Sequence, residues 1–246
     1  MNRPLTEFCK QNFADFCDDL TQNWAVPIKS VAARKVQLRG IHRRYLAFAC
    51  TTTVVAERAA RSEYLCAVAE VAYLSMVLAA KGIENTSGVL LRQCIELILK
   101  HLYFTTHPVE YAWAQSHEGY RELTFQFLVE YCGKTQESTD FHGANQVYAD
   151  LAGHFASLSR YVHVHSRRFI KYGKRRNTKQ CDQASMCRLK DVADHLWPVL
   201  GFLLILHFPR KFNRASIMEQ KLMQSGLTKD LRQRLTQHLR MVSLKA

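Results

Sequence analysis

The sequence predicts an all-α fold, and three features of the chain support this prediction. Its periodic segments follow the 3.6-residue repeat of an α-helix, and no segment alternates apolar and polar residues over a useful length. Glycine is scarce, with ten residues in 246, and no glycine-rich phosphate loop occurs. The apolar content of 48% is ample for a folded core. We therefore expect a helical bundle and exclude P-loop and dinucleotide-binding folds.

In the first half of the chain, the spacing of apolar residues predicts the helices, and glycine and proline residues predict where they end. Residues 5–20 predict a short helix, which ends before the break at Pro27. A long helix is expected from Thr51 to Gly82, because glycine readily adopts the backbone conformation of a C-cap. The next helix, Val89–Phe104, should begin after a cap at residues 85–87 and end at His107-Pro108. Five of its residues are expected to point inward: Leu91, Cys94, Ile95, Ile98 and Leu102.

The second half predicts helices at residues 120–132, from Ala144 onward, at 186–206 and in a final hairpin. Thr228 is the expected N-cap of the last helix. The 186–206 helix is apolar almost all round, so we expect it to be a buried central helix or to form a dimer interface. We divide the chain into an N-terminal helical extension at 1–50, a helical bundle at 51–212 and a C-terminal helical hairpin at 213–246.

The charge of the chain predicts a polyanionic partner. Its net charge is +13, which makes RNA, DNA and an acidic protein all candidates. One basic segment carries Lys29, Arg34, Lys35, Arg39, Arg43 and Arg44, and we interpret it as a solvated helix face, with a nucleic-acid arm as the alternative. The last helix carries Lys229, Arg232, Arg234 and Arg240, where packing is favoured over DNA recognition by a helix-turn-helix.

The cysteine spacing indicates whether a metal site is expected, and the length of the apolar runs indicates whether a signal or a membrane span is expected. The eight cysteines include no CxxC pair, so we expect reduced thiols, no zinc site and no cofactor. The N-terminus lacks the apolar region of a secretory signal. The longest apolar run, 196–208, is shorter than the ~20 residues of a membrane span. We therefore expect a soluble, cytoplasmic protein with no membrane partner.

The most informative stretch is the motif helix that starts at Ala144, together with the residues just beyond it. Val147, Leu151, Phe155, Leu158 and Val162 form its apolar stripe. At its C-terminal end we expect Arg160, His163 and His165. A basic run comes next, and we expect its residues to bind substrate phosphates: Arg167, Arg168, Lys171, Lys174, Arg175 and Arg176.

An arginine, four residues and a histidine at the end of a helix, here Arg160 and His165, resemble the motif of the HEPN superfamily. The resemblance implies an all-helical HEPN-like bundle that is often a metal-independent ribonuclease of toxin–antitoxin or phage-defence systems. It further implies a homodimer whose motif helices face each other. Family members usually carry a polar residue after the arginine, whereas this chain has Tyr161.

A second group of charges lies on the helix predicted at 89–104. Arg92, Glu96 and Lys100 succeed one another at four-residue steps and therefore share one face. One interpretation is a surface row of ion pairs. In the other, Arg92 and Glu96 face the motif helix, because ribonucleases of the family often carry an acidic residue there. Glu96 is then a candidate catalytic residue and Arg92 a candidate substrate-binding residue.

These residue types can cleave RNA without a metal. A histidine can take the proton of a 2′-hydroxyl, and an arginine can hold the charge that develops on the phosphate oxygens. In an ideal helix, residues five apart point about 140° away from each other and residues three apart about 60°. His165 can therefore meet Arg160 only if the helix ends or tightens, or if the two come from different subunits, and His163 is the alternative.

The sequence supports two functions. The first is a metal-independent endoribonuclease of a toxin–antitoxin or phage-defence system, in which Arg160, His165, His163 and Glu96 are catalytic. The alternative is a catalytically inactive helical protein that binds RNA or a protein partner, which Tyr161 favours. We expect RNA as the partner and a homodimer formed through the motif helix or the 192–206 helix. A protein or nucleic-acid antitoxin is a further candidate partner.

Overall fold

A computed structural model describes residues 3–57, 62–117, 123–139, 141, 144–161 and 183–245 of the chain. The described residues form α-helices and contain no strand, which confirms the all-α prediction. The helices are α1 Arg3–Gln22, α2 Ile28–Ala33, α3 Lys35–Ala56, α4 Glu63–Ala80, α5 Glu84–Thr106, α6 Pro108–Ser116, α7 Phe125–Gly133, α8 Gln136–Thr139, α9 Ala144–Ser159, α10 Gln183–His207, α11 Pro209–Arg214, α12 Ile217–Gly226 and α13 Lys229–Lys245.

Helix α10 lies at the centre of the fold. It packs along α3, and every residue from Leu196 to Leu206 is buried. The helix continues through Pro198, which removes only one backbone donor from the helix. Of the two expectations for this segment, the buried central helix is therefore the correct one. Since its apolar residues are already covered by the same chain, they give no reason to expect a dimer through this helix.

One hydrophobic core runs through the three segments predicted from the sequence. It includes Phe13 of α1, Leu99 of α5 and Leu231 of α13. Helix α3 crosses residue 50 without interruption, and α12 packs against α3. The boundary drawn between residues 50 and 51 thus falls inside a helix.

The long helix expected from Thr51 to Gly82 is wrong, because α3 ends at Ala56 and α4 begins at Glu63. The side of α4 that faces the core carries Leu65, Val68 and Ala72, whereas Cys66 is exposed. The C-cap prediction is confirmed, since Gly82 has a positive φ of 82°. Its N–H and that of the next residue donate to carbonyls of the last turn, as in a Schellman motif.

Several helix boundaries are set by local sequence signals. Helix α12 begins with a capping box, in which Ser216 and Glu219 exchange hydrogen bonds. Thr228 accepts a hydrogen bond from the N–H of Leu231, as expected of an N-cap. Helix α5 instead begins at Glu84 without a side-chain cap, and the Ser87 hydroxyl donates to the Ser75 carbonyl of α4 at 2.8 Å.

Helix α4 is the one described helix that is long and apolar enough to cross a membrane, with a mean hydropathy of 1.5. Length and composition alone identify it, and 44% of the segment is buried in the fold. It packs along α5 and contributes Met76 and Val77 to the core. A core helix passes the same test of length and composition.

Candidate functional site

The motif helix α9 ends one residue before Arg160. Val147, Leu151 and Leu158 are buried as predicted, while Val162 lies outside the described residues. After Ser159 the chain turns, and the N–H of Tyr161 donates to the Leu158 carbonyl at 3.0 Å. Such an i to i+3 bond tightens the last turn. Arg160 and Tyr161 therefore lie in a turn beyond the regular helix, so the angles of an ideal helix do not describe Arg160.

Arg160 is exposed in this turn, and its neighbour Tyr161 is anchored. The Tyr161 hydroxyl donates to Oε1 of Glu84 at 3.2 Å. The Tyr161 ring lies so close to Gly88 that a Cβ at position 88 would be only 2.5 Å from ring atom Cδ2. Gly88 thus makes room for the ring. Tyr161 thus fixes the position of the turn that carries Arg160.

Arg92 and Glu96 lie on α5 on the same face as Gly88, four and eight residues further along the helix. The guanidinium of Arg92 lies 4.6 Å from the ring centroid of Phe155 on α9 and 2.8 Å from Oε1 of Glu96. Both charged side chains are less than one-third exposed, at 27% and 29%. A surface row of ion pairs would be more exposed and would not contact α9. Arg92 therefore faces the motif helix, as the second interpretation requires.

Glu84, Gly88, Arg92 and Glu96 stand at four-residue steps and form one face of α5, which we call the α5 row. Its first two residues contact Tyr161, its third contacts Phe155, and its fourth binds the third. The α5 row thus lies along the C-terminal half of α9 up to the turn with Arg160.

The remaining predicted site residues lie outside the described residues. They are His163, His165, Arg167, Arg168, Lys171, Lys174, Arg175 and Arg176. The roles assigned to them stay predictions. Of the predicted site, the described structure brings Arg92 and Glu96 together and places Arg160 at the end of the adjacent helix.

Two histidines that the sequence analysis did not select meet in an open cleft of about 490 Å³ between α9, α10 and the start of α13. The ring centroids of His154 and His195 are 6.3 Å apart. Burial lowers the pKa of His154, and His195 lowers it further, whereas Asp150 opposes the change. His195 Nδ1 is 2.7 Å from the Asp191 carbonyl, which favours the tautomer that donates from Nδ1. Each histidine comes four residues after an aspartate, and this repeated spacing was the missed signal.

Three arginines of the other basic segments bind groups within the chain. Arg44 donates to the Gly226 carbonyl at 2.7 Å and to Asp194 at 3.2 Å, so this residue is not part of the expected solvated face. The other members of that segment are exposed as expected, except for the buried Arg34. In the C-terminal hairpin, Arg232 donates to the Gln224 carbonyl at 3.1 Å, and Arg234 pairs with Asp230 at 2.9 Å. These contacts favour packing over DNA recognition for the hairpin.

The thiols of the described cysteines are free, and they are buried, partly buried or exposed. Burial raises the pKa of Cys94 and Cys132 to about 12, so both stay protonated at neutral pH. Among the described parts of the chain, no group of three histidine, cysteine or acidic side chains is arranged to hold a metal ion.

Comparisons with models of known protein families, with curated proteins and with solved structures find no match to this chain. Its function is therefore inferred from the residues and their geometry.

Proposed function

We propose that the protein is a metal-independent endoribonuclease of a toxin–antitoxin or phage-defence system. The observation that carries this proposal is the α5 row, because it sets Arg92, paired with Glu96, against the helix that ends just before Arg160. The resemblance to the HEPN motif is made by Arg160 together with His165. We further propose that the protein acts on RNA in the cytoplasm as a homodimer.

The reaction needs a proton acceptor, a charge partner and a 2′-hydroxyl. His165, or His163 in its place, takes the proton of the 2′-hydroxyl, and the oxygen attacks the adjacent phosphorus. The bond from phosphorus to the 5′-oxygen breaks, and this oxygen takes up a proton as it leaves. The products are a 2′,3′-cyclic phosphate and a 5′-hydroxyl end. Arg160 holds the non-bridging oxygens, on which negative charge increases in the transition state.

Arg92 and Glu96 support this reaction from α5. Glu96 holds the Arg92 guanidinium in one orientation through the 2.8 Å ion pair, and Phe155 supports it from α9. An arginine fixed in this way approaches a phosphate at a smaller entropy cost than a free side chain. The net charge of +13 attracts the polyanion to the surface as a whole.

The test is incubation of the purified protein with total RNA in the presence of EDTA. The wild type should cleave, His165→Ala should lose cleavage, and His163→Ala should lose less. Arg160→Ala should also lose cleavage, and Arg214→Ala is its matched control, since Arg214 is an exposed arginine at the end of α11. If His163→Ala alone abolishes cleavage, the pair is Arg160 and His163. Cleavage that disappears with EDTA would contradict the proposal.

The alternative function, a catalytically inactive protein that binds RNA or a protein partner, is favoured by Tyr161. Its ring and hydroxyl are both engaged by α5, so this position serves the fold. Salt-dependent RNA binding without any cleavage by the wild type would support this alternative over the endoribonuclease.

A further inference from the structure

A pocket of about 250 Å³ lies between α1 and α3, far along the sequence from the motif helix. Its apolar part is made by Phe13, Leu46 and Cys9. His42 also lines it, and its ring stacks on Phe16 with centroids 5.0 Å apart. Burial lowers the pKa of His42 to about 4, so the ring is uncharged at neutral pH. The interior of this pocket therefore presents neutral and mostly apolar groups.

The rim of the pocket is cationic. Lys10 of α1 and Arg39 and Arg43 of α3 line it, and among the described residues no aspartate or glutamate does. Arg39 lies over the Phe13 ring at 5.5 Å, which fixes its guanidinium above the apolar part. Arg43 lies close enough to Cys9 to oppose the rise in its pKa that burial causes. Two guanidinium groups thus stand at the mouth of an apolar pocket.

The acidic groups of α1 do not neutralise this rim. Glu7 pairs with Lys10 at 2.9 Å, but both side chains are about two-thirds exposed, at 63% and 66%, so the pair is weak. Asp18 lies farther along α1, where it acts on Cys17 together with Lys35 and Arg39. The described residues that line the pocket thus carry three positive charges and no negative charge.

We propose that this pocket binds a small amphiphilic anion, namely a carboxylate that carries a short acyl chain. Arginine binds a carboxylate through two parallel hydrogen bonds, and Arg39 and Arg43 are placed to do so above the apolar interior. The volume of about 250 Å³ is below the ~300–1,000 Å³ of sites for drug-sized ligands. A short chain therefore fits better than a long one. The inference is independent of the proposed ribonuclease activity.

The experiment uses the full-length protein and octanoate as the probe in isothermal titration calorimetry. Octanoate should bind, whereas octanol, which has the same chain without the charge, should bind at least about tenfold more weakly, since a charge-assisted hydrogen bond contributes ~1.5–3 kcal/mol. Hexanoate should also bind about tenfold more weakly, because it lacks two methylenes at ~0.8 kcal/mol each. Equal binding of octanol and octanoate would overturn the proposal.

Variants locate the binding. Arg39→Met and Arg43→Met keep an apolar stem but remove the charge, and each should weaken octanoate binding by about tenfold or more. Arg214→Met removes a charge of the same kind at an exposed position on α11 and should leave binding unchanged. Circular dichroism of each variant checks that the helices are intact. Anionic lipid vesicles are titrated in the same way. If all three variants bind octanoate as tightly as the wild type, or if the protein binds the vesicles but not octanoate, the proposed site is wrong.

Discussion

The end of the motif helix and the C-terminal hairpin are both rich in arginine, but their arginines have different partners. In the hairpin, Arg232 and Arg234 bind a carbonyl and a carboxylate of the hairpin itself. Beside the motif helix, Arg92 is held by Glu96 and Phe155, and Arg160 is exposed just beyond the helix end. Positive charge in the sequence therefore does not identify a binding surface. What distinguishes the two regions is Arg160, whose guanidinium makes no hydrogen bond or ion pair with the described residues, whereas Arg232 and Arg234 are both bound within the hairpin.

The largest difference between the two regions is expected in RNA cleavage. Arg160→Ala should lower the cleavage rate about a hundred- to thousandfold, which corresponds to the ~2.7–4 kcal/mol of a lost transition-state charge partner. Arg232→Ala should leave the rate unchanged and lower the free energy of unfolding by about 0.5–1.5 kcal/mol, because two hydrogen bonds to backbone carbonyls are lost. Single-turnover cleavage and urea unfolding of both variants measure this. Equal cleavage rates for Arg160→Ala and Arg232→Ala would contradict the different roles assigned to these two arginines.

A pair of glycine substitutions tests how α5 holds the end of the motif helix. Gly88→Ala should lower the free energy of unfolding by about 1–3 kcal/mol, because the new methyl group overlaps the Tyr161 ring. Gly153→Ala should raise it by about 0.5–1 kcal/mol, since Gly153 lies inside α9 with open space around it. Urea unfolding measures both. If Gly88→Ala costs as much in a Tyr161→Ala background, the Tyr161 ring is not the cause.

The pH of these comparisons matters, because the fold has a pH dependence of its own. The pKa of His42 is lowered from 6.5 to about 4 by burial, so the unfolded chain takes up the proton more readily. The free energy of unfolding therefore decreases as pH falls below 6.5, and it continues to decrease down to about pH 4. Between pH 8 and pH 5 we expect a loss of roughly 2 kcal/mol.

His42→Leu isolates this contribution. Urea unfolding of the variant at the two pH values should show a smaller loss than the wild type, by the amount that His42 contributes. The same loss in the variant and the wild type would assign the pH dependence to other groups. Variants with changed cleavage should therefore be compared at about pH 8, where His42 is almost entirely neutral in both states.

The smallest expected effect compares two ion pairs with the same four-residue spacing. Arg92–Glu96 should show a coupling energy of about 0.5–1 kcal/mol, because both side chains are mostly buried. Arg234–Asp230, with 32% and 65% of its side chains exposed, should show about 0.3–0.5 kcal/mol. Double-mutant cycles to alanine measure the coupling in each region. A coupling energy larger for Arg234–Asp230 than for Arg92–Glu96 would contradict this prediction.

The sequence predicts the parts of this fold that depend on local patterns. The inward face of α5, the Gly82 cap and the Thr228 cap result from the spacing and type of nearby residues. The break between α3 and α4 was missed because the apolar spacing continues past Ala56 with no glycine or proline near it. For the same reason α9 was expected to reach Val162, although it ends at Ser159.

Contacts between distant segments could not be predicted from periodicity. Arg44 and Asp194 are 150 positions apart, and nothing near either residue identifies the other as its partner. The packing of Tyr161 on Gly88 depends on the close approach of α5 and the end of α9, which single-sequence patterns do not contain. Arg92 could be assigned to one face of α5, but which neighbour that face contacts required the fold.

The central claim is that the residues at the end of the motif helix cleave RNA through its 2′-hydroxyl. The most direct measurement first maps the bond that the wild type cuts in a defined RNA. The same RNA is then made with 2′-deoxyribose at that position and incubated with the protein in EDTA. We predict that the all-RNA substrate is cut to a 2′,3′-cyclic phosphate and a 5′-hydroxyl, and that the substituted RNA binds with the same salt dependence but stays intact at that bond. Cleavage at the deoxy position would contradict the claim.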